Sequence, residues 1–88
     1  MEFEFDENKS KINKQKHGID FIEAQKLWEY KNKKIFLAKK VEDEIRFIMH
    51  SMLYGKCWSA IFTLRDGKIR IISVRRCRDN EKRILNES

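Results

Sequence analysis

The chain has no proline, three glycines, two cysteines and two histidines among 88 residues. Without proline, a low-complexity tract or an internal repeat, nothing marks a linker, and this length allows one domain spanning residues 1–88. Cys57 and Cys77 lack C-x-x-C spacing and have no histidine pair nearby, which argues against a structural zinc site and gives little sign of a disulfide framework. Each is expected to pack as a small apolar side chain. No apolar run approaches the roughly 18 residues that cross a bilayer. The acidic opening MEFEFDE also lacks the basic region of a secretory signal, so the expectation is a cytoplasmic chain with no membrane partner.

What is present suffices for a core: 41% of residues are hydrophobic, with two Trp and six Phe, whereas 39% are charged. The net charge of +6 is unevenly spread. Residues 1–30 carry five basic and seven acidic side chains, while residues 65–83 carry eight basic and three acidic ones. A basic end of this kind suits a polyanion such as RNA or DNA, or an acidic protein, because phosphate contacts dominate nucleic-acid affinity.

Phe3 and Phe5 alternate with acidic residues, the pattern of a short half-buried strand. Asp6 is placed to cap a helix that runs to His17 and ends at Gly18. That helix is apolar only at Ile12, so it is expected to be held down by few contacts. Asp20 and Glu23 form a capping box for a second helix, with Phe21, Ala24, Leu27 and Trp28 turned to the core. A short strand over Ile35–Ala38 and a charged loop over Lys39–Glu44 follow. From Ile45 the chain reads strand, turn, strand, turn, strand, and Arg78–Ser88 reads as a final helix with Glu81 in its first turn. The expected fold is thus α+β, with element order β-α-α-β-β-β-β-α, a mainly antiparallel sheet and helices packed on one face.

A two-residue Asp66-Gly67 turn pairs Arg65 with Lys68 and fixes the register outward. Counting from it, Leu64, Phe62, Ala60 and Trp58 share the core face with Ile69, Ile71, Ser73 and Arg75. The other face pairs Thr63 with Arg70, Ile61 with Ile72, Ser59 with Val74 and Cys57 with Arg76. A Gly55-Lys56 turn before it adds Ile45, Phe47, Met49 and Leu53 to the first face, and Arg46, Ile48, His50 and Met52 to the second. One face is therefore apolar and the other basic. Arg75 breaks the rule: its parity sets it beside Trp58, where it must emerge at the rim, since a buried unpaired guanidinium is too costly.

Combined with FEFDENKSKINKQKHGIDFIEA near the start and TLRDGKIRIISVRRCRDNEKR near the end, this order resembles the BrnT toxins of bacterial type II toxin–antitoxin systems. The most specific matches are Asp6 with Asn8 and Lys9, the Lys16-His17-Gly18 triplet, Asp20-Phe21, and Arg70 to Arg75 followed by Glu81. The resemblance implies a RelE-like fold and a ribonuclease activity that inhibits translation. It also implies neutralisation by a BrnA-like ribbon-helix-helix antitoxin, through which alone the complex meets DNA. The sequence departs from the family at Cys77, where a small residue is usual, at Arg78, where Thr or Ser caps the last helix, at His50, where glycine is common, and near Leu85, which lacks the usual aromatic neighbour.

RNA cleavage requires the 2′-hydroxyl to lose a proton, the phosphorane charge to be stabilised and the leaving oxygen to gain a proton. No carboxylate cluster suits two metal ions, so a metal-independent route without a cofactor is expected. Arg70, Arg75 and Arg76 are candidates for charge stabilisation, since a planar guanidinium matches phosphate oxygens. His50, on the basic face, is a candidate proton-transfer group. His17 is a second one through the family triplet, with Lys16 beside it. Glu81 is a candidate for orienting an arginine, and Arg46, Arg65, Lys68 and Arg78 are candidates for binding RNA. The competing reading is a non-catalytic module whose basic face binds RNA or docks an antitoxin.

Overall fold

A computed structural model describes residues 1–87. It holds an α+β fold in which one five-stranded sheet, in the order β1-β5-β4-β3-β2, is built from β1 (Phe3–Glu4), β2 (Lys34–Val41), β3 (Glu44–Leu53), β4 (Lys56–Arg65) and β5 (Lys68–Arg76). The short β1 lies parallel to β5, and every other pairing is antiparallel. Helices α1 (Glu7–His17) and α2 (Phe21–Ala24), the latter continued by a 3-10 segment over Gln25–Glu29, connect β1 to β2. Helix α3 (Asp79–Asn86) ends the chain. The element order is the one expected from the sequence.

The caps form for the reasons the sequence suggests. Asp6 accepts from the Lys9 N–H at 3.1 Å, and Gly18 takes the left-handed conformation, φ 79°, that ends α1. Asp20 and Glu23 make the full capping box of α2. Phe21, Ala24, Leu27 and Trp28 then bury against Met49, Trp58, Ala60, Phe62, Ile71 and Val74 on one sheet face. Trp28 sits edge-on to both Phe3 and Phe62, tying the β1 edge and the central β4 of the sheet to the helical layer.

Helix α1 is anchored by polar side chains, contrary to the expectation of few contacts. Ile12 is exposed, whereas Ser10 and Asn13 are buried. The Asn13 amide donates to the carbonyls of Ile19 and Val74 at 2.8 and 2.9 Å and accepts from the Val74 N–H at 3.2 Å. Asn13 therefore continues the hydrogen-bond ladder along the outer edge of β5, beyond where the two-residue β1 stops. The Ser10 hydroxyl accepts from the Phe21 N–H at 2.9 Å, fixing α1 to α2.

Register departs from the sequence reading in two places. The β3–β4 turn is Tyr54-Gly55, with Leu53 opposite Lys56, because φ is positive at both turn residues, 55° and 72°, as a two-residue hairpin turn requires. Moving the turn by one residue shifts the pairing by two and leaves every side chain on its expected face. The second departure reverses faces. In β5 the pairing holds from Arg65–Lys68 to Phe62–Ile71, but Ile61 then faces Ser73, so Ile72 is an extra, bulged residue. Beyond it Val74 pairs with Ala60 in the core, Arg75 with Ser59, and Arg76 with Trp58. The expected parity of Val74, Arg75 and Arg76 is thereby inverted. An unbulged strand would bury a guanidinium where Val74 is now fully buried, a far costlier arrangement than one unpaired ladder position.

The strand expected over Ile35–Ala38 extends to Val41, with a tight turn at Glu42-Asp43 in place of a loop. While α1 and α2 cover the core face, α3 lies over the cysteine end of the other. Leu85 packs there with Cys57, Cys77, Tyr30 and Met52, and the Lys34 ammonium donates to the Ile84 carbonyl at 2.6 Å. Cys57 and Cys77 are joined in a disulfide with Cα atoms 5.3 Å apart, which corrects the expectation of two separate packing cysteines. The hairpin between them brings positions 20 apart in sequence side by side, a proximity that spacing alone does not reveal.

Candidate active site

The bulge brings residues of β3, β4 and β5 together with Glu81 of α3. Arg75 forms a two-pronged ion pair with Glu81, through contacts of 2.7 and 2.9 Å. Glu81 also accepts from the Arg78 N–H at 2.8 Å and from the Ser59 hydroxyl at 3.2 Å. The Ser59 oxygen in turn lies 2.8 Å from Nδ1 of His50. A continuous polar chain thus runs from His50 through Ser59 and Glu81 to Arg75. Only its last member reaches solvent appreciably, since His50, Ser59 and Glu81 are all buried.

Electrostatics follow from these contacts. The Arg75 guanidinium holds the Glu81 carboxyl down at about 2, with help from the Arg78 N–H and the Ser59 hydroxyl and against the cost of burial. Arg75 is itself pushed up by Glu81. Burial pushes His50 below its ordinary value, partly offset by the Glu81 charge. At neutral pH the chain therefore contains a carboxylate, a guanidinium and a neutral imidazole. A permanently ionised, fully engaged carboxylate is a poor proton acceptor but a good holder of a guanidinium.

The half of the capping box that the Arg78 side chain cannot supply is absent, for a guanidinium has no acceptor. Glu81 nonetheless supplies the other half by taking the Arg78 N–H, so α3 starts where a Thr or Ser cap would place it.

The remaining candidates divide into two groups. Arg46 and Arg65 both bind Glu44, at 3.2 and 2.8 Å, Arg70 binds Glu4 at 2.8 Å, and Lys68 lies 3.8 Å from Glu2. The basic face expected from the register is therefore largely neutralised at that end by three glutamates. At the opposite end, Arg76 lies over the Trp58 ring at 5.4 Å and donates to the Cys57 carbonyl, and Arg78 is exposed beside it. Among the described residues neither has a carboxylate partner. His17 and Lys16 are exposed in the last turn of α1, and no hydrogen bond or ion pair links them to this cluster.

His50, Cys77 and Glu81 offer one ligand atom each within 4.8 Å of one another, a spacing that suits a cation. The donor set does not fit one as arranged. The Cys77 sulfur is bonded to Cys57, and the Glu81 oxygens are taken by Arg75, Ser59 and the Arg78 N–H.

Residues 5–81 match the family model described as "Ribonuclease toxin, BrnT, of type II toxin-antitoxin system". The chain belongs to the BrnT family. No curated protein matches it. The BrnT match ends at Glu81, so the cluster of Arg75, Ser59, His50 and Glu81 lies wholly within it, and the family supplies a ribonuclease toxin with an antitoxin partner as the frame for that cluster. No helix among the described residues is long and apolar enough to cross a membrane. Sequence reasoning missed Ser59, whose hydroxyl joins His50 to Glu81. Its one available signal was a small polar residue between Trp58 and Ala60 in the apolar part of β4.

Proposed function

We propose that this BrnT-family chain is a metal-independent endoribonuclease that inhibits translation in the cytoplasm, with Arg75 as the group that stabilises the phosphorane. The observation that carries the reading is the two-pronged clamp of buried Glu81 on Arg75, whose side chain is 23% exposed. Two contacts fix the guanidinium plane, while its Nε–H is left without a protein acceptor among the described residues. A donor held in place before the reaction stabilises developing charge without reorganising.

In this reading Glu81 positions Arg75, and Ser59 with His50 supports Glu81 from below. Burial keeps His50 from direct contact with RNA in this arrangement. Arg76 and Arg78 bind the flanking phosphates along the same edge, and Arg46, Arg65, Lys68 and Arg70 contribute less because carboxylates already occupy them. A BrnA-like ribbon-helix-helix antitoxin covers this edge, and DNA is met only through that partner.

The test is RNA cleavage by the purified, antitoxin-free protein in EDTA. Wild type should cleave, and Arg75→Ala should lose on the order of 100-fold or more, the scale of removing one oxyanion donor. Arg65→Ala should stay near wild type. Intact RNA after prolonged incubation with folded wild-type protein overturns the nuclease assignment, and cleavage abolished by EDTA overturns the metal-free route.

A further inference from the structure

A surface cavity of about 240 Å³ opens between α3 and the β3–β4 turn, and Cys57 lies in its wall. Lys56, Arg76 and Lys82 line the same cavity with Leu85, and none of its lining residues is acidic. Cys77, the other half of the disulfide, does not line it. Its sulfur lies 3.5 Å from the Ser59 hydroxyl on the side of the buried chain. Both cysteines are equally buried, at 7% exposure, but only Cys57 borders the cationic cavity, while the Cys77 sulfur lies against the Ser59 hydroxyl.

We infer that this cavity is a thiol–disulfide exchange site for an anionic low-molecular-weight thiol, with Cys57 as the sulfur that is attacked. The cationic lining draws an anionic thiolate toward Cys57 and stabilises the Cys57 thiolate once formed. In the reducing direction an incoming thiolate bonds to the Cys57 sulfur and the Cys57–Cys77 bond breaks. Cys77 leaves as a thiolate and takes up a proton. A second thiolate attacks the outer sulfur of the mixed disulfide, releasing the low-molecular-weight disulfide and a Cys57 thiolate, which takes up a proton in turn. Two thiols are oxidised and one protein disulfide is reduced, so atoms and electrons balance. Because Cys77 is covalently joined to Arg78, whose N–H bonds Glu81, the exchange releases the tether on the turn that holds Arg75.

The experiment uses the full chain, with reduced glutathione as the carboxylate-bearing probe and 2-mercaptoethanol, which has no charge beyond its reacting thiolate, as the comparison, followed by mass spectrometry after alkylation. Glutathione should convert the oxidised protein to one carrying two alkylatable thiols. The double variant Lys56→Glu with Lys82→Glu should slow glutathione about tenfold relative to 2-mercaptoethanol, the scale of local electrostatic steering. Oxidised glutathione should add one adduct to Cys57 in Cys77→Ser, and none to Cys77 in Cys57→Ser. Three results overturn the inference: a disulfide that resists glutathione in folded protein, a rate ratio unchanged by the charge reversal, or an adduct on Cys77 in place of Cys57. No RNA enters these measurements, so their outcome stands apart from the nuclease assignment.

Discussion

Replacing Glu81 by glutamine removes the charge that holds Arg75 while keeping the shape and the acceptor for the Arg78 N–H. The Glu81 carboxyl lies at about 2 in the folded protein against an ordinary value of 4.5. At about 1.4 kcal/mol for each factor of ten in acidity, ionised Glu81 stabilises the fold by roughly 3 kcal/mol. That is a large part of the total for a domain of this size. The value is in keeping with the cost of removing one partner from a buried ion pair. Because the folded carboxyl is depressed, this stability is fully present above the unfolded value. It is lost as pH falls from about 4.5 through about 2.

Urea unfolding of wild type and Glu81→Gln at a series of pH values reads the effect directly. The variant should be about 3 kcal/mol less stable at pH 7, and the gap should close as pH falls through about 2, where wild-type Glu81 takes up its proton in the folded state as well. The disulfide and the α3 packing are common to both proteins and drop out of the difference. A gap below about 1 kcal/mol at pH 7, or one that does not change with pH, refutes the ion-pair account of this site.

Three further outcomes are expected. Asn13→Ala strips the partners from the Val74 N–H and two carbonyls and should cost about 2–3 kcal/mol in urea unfolding, with Asn13→Asp also destabilising because the amide donor is lost. Burial lowers His50, so the unfolded chain takes up the proton first and stability should fall as pH drops below about 6.5; thermal unfolding of His50→Gln should show a flatter slope there. Arg76→Ala should weaken RNA binding and reduce its salt slope by about 1, measured by binding at several salt concentrations, while leaving Glu81→Gln stability differences unchanged.

Most of the fold was legible because it rests on local chemistry. Asp6 and Gly18 bound α1, the Asp20–Glu23 box starts α2, and Asp66-Gly67 sets the last hairpin, each through hydrogen bonds or φ values within a few residues. What escaped was non-local. The Asn13 contact spans 61 residues, and polar residues on a helix face read as solvent-facing when no partner is visible. The Cys57–Cys77 bond escaped for a different reason: the unbulged register set Cys57 opposite Arg76, and the extra residue at Ile72 shifts the pairing by one and brings Cys77 alongside Cys57.

The candidate site shows how one unpaired residue redirects a correct list. Arg75, Glu81 and His50 are recognisable by residue type, yet strict alternation from the Asp66-Gly67 turn sets Arg75 on the opposite face from His50. Ile72 gives no warning of its bulge, since an isoleucine suits a paired strand position as well as an unpaired one. The constraint lies in the residues after it: alternation would expose Val74 and bury Arg75, and both costs vanish if one residue is skipped. The energetic conflict at Arg75 was therefore the signal for the bulge. Inserting the extra residue resolves it by setting Arg75 beside Ser59 and within reach of Glu81.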